Sequence, residues 1–187
     1  AANQSRQLMC SVAGLPRDRL EALCAKAIAC EGDGAVCQVA NVLFPNGFSV
    51  GGTEVAIQAL KTYAEAAGAL QVKILKTGGA FHTCLMAPAA DRLAAALREA
   101  LPRMRPPRVT VWMNASCEPM RPGCDPKAIV ELLQEQLTSP VLWEPCVRAM
   151  VDEGIAEFYE VGPQQQLTAM MKRIDPAAWK RMQQLPV

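Results

Sequence analysis

The stretch Val36-Cys37-Gln38-Val39-Ala40-Asn41-Val42-Leu43-Phe44-Pro45-Asn46-Gly47-Phe48-Ser49-Val50 decides the fold. Val36 to Leu43 is rich in β-branched residues and reads as a strand. Pro45-Asn46-Gly47 is a turn signal between strands, and Phe48-Ser49-Val50 follows as a short third strand. Upstream, Pro16 opens a helix whose apolar positions Leu20, Leu23, Ala27 and Ile28 recur at helical spacing. Before it, Gln7 to Ala13 reads as a strand ended by Gly14. Downstream, Thr53 can cap a helix running to about Ala67, with Val55, Ile57, Leu60, Tyr63 and Ala64 as its apolar stripe. Val72 to Lys76 then alternates apolar and basic residues, as a strand with one wet face does. The order βαββαβ over residues 1–77 is that of a ferredoxin-like subdomain.

Residues 78–187 have a different rhythm. Ala89 to Leu101 predicts a helix, broken by Pro102, Pro106 and Pro107. Val109 to Met113 is a continuous apolar strand, as in a sheet covered on both faces. Residues 114–123 form a loop. Asp125 can cap a helix with Pro126 at its first position, reaching about Leu137. A helix from Leu142 to Glu153, a buried strand from Ala156 to Val161, a helix ending near Lys172 and a short helix around Trp179 complete the block. Two strands are too few for a covered parallel sheet. Their apolar faces call for more strands, from an earlier part of the same protein or from a partner chain.

Composition excludes several function classes. The 187 residues are 51% hydrophobic and 20% charged, with net charge +1, so the chain is globular and carries no basic stripe for nucleic acid. No apolar run is long enough for a transmembrane segment. No start methionine or leader-like segment stands at Ala1, which suggests a mature, trimmed or incomplete product. None of the eight cysteines forms a C-x-x-C pair, and one histidine is too few for a zinc site. Cys10, Cys37 and Cys146 sit in apolar runs, as free buried thiols do. Gly51-Gly52 lacks a following GK[ST], so no phosphate loop is supported.

His82 is the single histidine and lies in Gly79-Ala80-Phe81-His82-Thr83-Cys84-Leu85-Met86, between a strand and a helix. A neutral imidazole at such a junction can take a proton from a hydroxyl or thiol. By spacing alone, a packed structural histidine is the simpler expectation. None of Ser5, Ser11, Ser49, Ser116 and Ser139 lies in a G-x-S-x-G elbow. Cys84 is too close in sequence to His82 to be expected as its nucleophile.

Gly79-Ala80-Phe81-His82-Thr83-x-Leu85-Met86-x-Pro88-Ala89 resembles the histidine motif of the malonyl-CoA:acyl-carrier-protein transacylases. Gln136-Leu137-x-Ser139-Pro140-Val141-x-Trp143, Glu160-Val161-Gly162-Pro163 with Leu167 and Lys172-Arg173-Ile174, and Val39 to Pro45 with Gly51-Gly52 resemble further blocks of that family in the same order. The resemblance implies an α/β fold: a ferredoxin-like βαββαβ subdomain followed by the C-terminal part of a hydrolase-like parallel α/β domain. It implies malonyl transfer from CoA to acyl carrier protein in fatty-acid biosynthesis. His82 would be the base of a serine–histidine dyad, the Gln136 carbonyl would orient it, and Asn41 would line the substrate cleft. Malonyl-CoA and the phosphopantetheine of acyl carrier protein would be substrates, with no bound cofactor. The Asn-x-Leu-Phe-Pro form suggests an organelle, mitochondrion or plastid.

The departures are specific. The family's G-H-S-x-G nucleophile segment, its carboxylate-binding arginine and its oxyanion glutamine find no match, and Arg6 is no substitute. Leu43 stands for an asparagine and Gln164 for a glycine. The chain alone is therefore expected to be inactive. It supplies the histidine half of an acyltransferase site, or else it is a transacylase-derived structural or carrier-protein-binding subunit.

Overall fold

A computed structural model describes residues 6–187. Ser5 lies outside these residues. The hairpin expected around Asn46 is present: β2 (Cys37–Phe44) and β3 (Gly47–Thr53) pair antiparallel. Gly47 is required there, since a Cβ on it would stand 1.8 Å from the Phe44 ring. Around the hairpin lie β1 (Gln7–Ala13), α1 (Arg17–Glu31), α2 (Glu54–Ala66) and β4 (Gln71–Leu75). The sheet order is β4-β1-β3-β2, the ferredoxin-like order, with β7 (Val141–Leu142) added in parallel beside β2.

Alternation sorts this sheet into two faces. Cys10, Val12, Phe48 and Val50 point toward α1 and α2, where Leu20, Ile57 and Leu60 close the core at 0% exposure each. The opposite face carries Ser49 and Gly51. The register of β2 against β3 slips between Val39 and Asn41. Val39 faces the helices, so a regular strand would send Asn41 there too. The bulge turns Asn41 to the Ser49 face instead.

Thr53 occupies the N-cap position of α2, but its side chain does not cap the helix. The cap comes from Glu31, the last residue of α1. Its carboxylate accepts the Ala56 N–H at 2.9 Å and the Thr53 hydroxyl. A charged acceptor at a helix N-terminus outcompetes a hydroxyl.

The rest of the chain comprises α3 (Ala87–Ala100), β5 (Val111–Trp112), β6 (Pro119–Met120), α4 (Pro126–Gln136), α5 (Trp143–Asp152), β8 (Phe158–Val161), α6 (Gln166–Ile174), α7 (Pro176–Trp179) and β9 (Met182–Leu185). Asp125 caps α4 as expected, accepting the Lys127 N–H at 2.9 Å. A second core joins Val147, Met171, Ile174 and Ala178, with Trp143 and Trp179 packed against it.

Further expectations need correction. Residues 114–123, expected as a loop, include β6, and Leu142, expected to open a helix, lies in β7 because it pairs with Val42. The strand over Val109–Met113 shortens to Val111–Trp112, paired only with β6, and Val109 is 68% exposed. Prolines at 106 and 107 remove N–H donors just before it, and Val111 is exposed as well, while Met113 alone of the run is buried. The buried strand over Ala156–Val161 begins only at Phe158, and Tyr159 and Val161 are exposed. One edge of β8 pairs in parallel with β9, a strand absent from the sequence reading because Met182-Gln183-Gln184-Leu185 lacks β-branched residues.

Candidate active site

His82 lies in the turn between β4 and α3, after Gly78-Gly79 and just before a single 3₁₀ turn, Cys84–Met86. Its backbone is left-handed, with φ 63°. That conformation costs a non-glycine residue roughly 1–2 kcal/mol, so the surroundings must hold it.

The holds are visible. The Thr83 side chain is fully buried, and its hydroxyl donates to the Ala80 carbonyl at 2.6 Å. Gly51 leaves the room: a Cβ there would stand 2.9 Å from the Thr83 methyl and 3.3 Å from the Ala80 Cβ. Gly52 serves the other face, where a Cβ would meet the Val36 carbonyl oxygen at 1.9 Å. The glycine pair is thus a close-approach device within a strand.

His82 Nδ1 lies 2.8 Å from the main-chain oxygen of Gln136, the last residue of α4. A carbonyl only accepts, so Nδ1 carries a proton, and in the neutral form of the ring Nε2 presents the lone pair. Among the described residues, Nε2 has no hydrogen-bond partner. The arrangement is an oriented imidazole able to accept a proton at Nε2.

The Gln136 side chain is held in turn. Its Oε1 accepts from Asn114 Nδ2 at 3.4 Å, while the Asn114 carbonyl accepts the Leu142 N–H at 2.8 Å. Asn41 donates to the Ser49 hydroxyl and is aligned with Val141 in the β2–β7 pairing. It bonds neither His82 nor Gln136 directly. Cys84 is exposed, and its N–H, not its thiol, is engaged, donating to Gln38 Oε1 at 3.0 Å. Among the described residues no group of three or more His, Cys, Asp or Glu side chains is placed to hold a metal ion, and no helix is long and apolar enough to cross a membrane.

Sequence reasoning missed Thr83, Asn114, Gln7 and Gln38. A doubled glycine inside a strand signals that something packs closely there, but not what. The glutamines carry no local signal.

No protein-family model matches the chain. Among curated proteins, the mitochondrial malonyl-CoA-acyl carrier protein transacylase of Homo sapiens is 34% identical over 180 residues, 92% of this chain and 45% of that protein. Among solved structures, the acyl-carrier-protein S-malonyltransferase of Burkholderia pseudomallei superposes with a TM-score of 0.84 at 28% identity, covering 98% of this chain and 55% of that one. A malonyl-transacylase in complex with its type II acyl-carrier protein superposes at 0.82 with 25% identity, over 98% of this chain and 55% of that one. The chain spans about half the length of the curated relatives it matches. Over that span, with its α/β fold and its oriented histidine, the chain belongs to the malonyl-CoA-acyl carrier protein transacylase family.

Proposed function

We propose that this chain supplies the histidine half of a serine–histidine site that moves malonyl groups from CoA to acyl carrier protein. The observation that carries the reading is the 2.8 Å contact between His82 Nδ1 and the Gln136 carbonyl. It fixes the tautomer as the acid of a catalytic triad would, leaving Nε2 as the base. Nε2 would take the hydroxyl proton of a serine on another segment as its oxygen attacks the malonyl thioester. The imidazolium would return that proton to the departing CoA thiolate. In the second half, Nε2 would deprotonate the phosphopantetheine thiol of acyl carrier protein, whose sulfur attacks the malonyl-serine carbonyl; the ester C–O bond breaks, and the imidazolium would return the proton to the serine oxygen. No cofactor enters this chemistry. Asn41 lines the cleft for substrate.

The chain divides on this reading into a small subdomain, 1–77, and part of a larger one, 78–187. The exposed Val109, Val111, Tyr159 and Val161 support further sheet supplied by another segment or by a partner chain. The complexed relative supports acyl carrier protein as the partner. The human relative's name supports a mitochondrial location, and the plastid alternative gains nothing from it.

A second reading is favoured by one observation: no serine or cysteine among the described residues bonds to Nε2. On it, the chain is a carrier-protein-binding or structural subunit without catalysis. The coding sequence and an assay separate the two. An in-frame G-H-S-x-G upstream, with malonyl transfer lost in His82→Ala, supports the first reading. A native start just before Ala1 sinks it. The 187 residues alone should show no serine malonylation, and measurable malonylation would refute the dependence on another segment.

A further inference from the structure

We propose that Gln7 and Gln38 are positioning residues for His82, holding its loop from both sides in the backbone conformation the imidazole needs. The inference rests on the reading of His82 as the base. Two main-chain N–H groups flank His82, those of Ala80 and Cys84. Ala80 N–H donates to Gln7 Oε1 at 3.1 Å, and Cys84 N–H donates to Gln38 Oε1 at 3.0 Å. The acceptors come from β1 and β2 of the five-stranded sheet, 73 and 46 residues away in sequence.

Together they anchor both ends of a five-residue loop with a left-handed histidine near its middle. Neither glutamine hydrogen-bonds the imidazole, so each acts only through the loop backbone. The direction of the Nδ1–Gln136 bond follows the loop, because φ at His82 sets where Cβ points. The two clamps are not equal. The Gln7 bond is partly buried, while the Gln38 bond is exposed and competes with water. Gln7 therefore dominates. The family blocks legible in the sequence include neither the residue type nor the role of Gln7.

The chain's single histidine makes the test direct. In the ¹⁵N-labelled full chain, the two imidazole nitrogens report the tautomer without assignment ambiguity, and amide exchange reports Ala80 and Cys84. The unmodified chain should read as the Nδ1–H tautomer. Gln7→Leu keeps size and removes the acceptor. It should shift the ring toward the Nε2–H form and speed exchange at Ala80 at least tenfold. Gln7→Glu restores an acceptor and should restore the tautomer. Gln38→Leu should move Cys84 exchange and the tautomer in the same direction, by less. Folded Gln7→Leu protein with an unchanged tautomer overturns the proposal. Should Gln7→Leu fail to fold, Gln38→Leu decides: an unchanged tautomer there overturns it as well. Malonyl transfer that survives His82→Ala would refute the reading of His82 as base and leave the tautomer result standing, so the two failures are distinguishable.

Discussion

The Thr83 methyl fills the space that a side chain on Gly51 would need, with 2.9 Å left to a Cβ placed there. This contact seats the histidine loop on the five-stranded sheet. Both partners are buried, so neither can yield into solvent.

Gly51→Ala should therefore cost about 1–3 kcal/mol, the usual range for overpacking a filled core. The loss is measurable as a lower urea midpoint with an unchanged slope. The His82 ring resonances should move with it. An alanine variant with both unchanged would mean that the loop is not seated by this contact.

Gln136 and His82 should respond very differently to truncation. The acceptor for Nδ1 is the Gln136 main chain, so Gln136→Ala keeps it and loses only the 3.4 Å link to Asn114. In the protein with transfer activity, Gln136→Ala should stay within about tenfold of the parent, since one neutral hydrogen bond contributes roughly 0.5–1.5 kcal/mol. His82→Ala should lose about 10²–10⁴-fold, the range for general acid–base catalysis. Steady-state rates with malonyl-CoA and acyl carrier protein decide.

Glu160 makes part of the fold pH-sensitive. It is 5% exposed, and its carboxylate accepts the Leu167 N–H at 2.8 Å, the Thr168 N–H at 2.8 Å and the Thr168 hydroxyl at 2.6 Å. Burial pushes the Glu160 carboxyl up, but these hydrogen bonds outweigh it and hold it below the usual carboxylate range. A pKa lowered in the folded state stabilises above the unfolded value, and that stability is lost as pH falls through the folded value. Glu160→Gln should cost about 1.5–3 kcal/mol at neutral pH. The gap to the parent should narrow once pH drops below the ordinary glutamate range. Urea titrations at neutral and acid pH would show a constant gap if the carboxylate charge played no part.

The cap on α2 predicts a long-range effect. Glu31→Ala removes the acceptor of the Ala56 N–H, 25 residues away, and should cost about 0.5–2 kcal/mol. Thr53→Ala should also destabilise, since the Thr53 hydroxyl donates to Glu31 and accepts the Val36 N–H at 3.3 Å. The two losses should not add, because they share one carboxylate. A double-mutant cycle by chemical denaturation checks this.

Thiol reactivity should divide by burial. Burial pushes the Cys10 thiol up to about 11 and, with a contact from Cys117, the Cys146 thiol up to about 12. A hydrogen bond with Cys24, then burial, raises the Cys37 thiol. These three stay protonated and shielded near pH 8. Cys30 and Cys84 are exposed. Brief native-state alkylation followed by peptide mass mapping should mark Cys30 and Cys84 and spare Cys10, Cys37 and Cys146.

The sequence alone determined strands β1 to β4 and the family. Local signals suffice for these: helical spacing at Leu20, Leu23 and Ala27, a Pro-Asn-Gly turn, and the ordered blocks around His82 and Gln136. It overreached at Val109–Met113, where an apolar run promised a covered strand. A run of side chains cannot say whether a neighbour lies alongside. The site belongs to tertiary structure. Asn41 faces Ser49 only because a bulge at Ala40 breaks the alternation that would have turned it into the core. His82 meets Gln136 across 54 residues, and its loop is held by glutamines 73 and 46 residues away. Hydrogen bonds of that span leave no periodicity in the chain. They exist only once the five-stranded sheet with its glycine pair and α4 have been brought together.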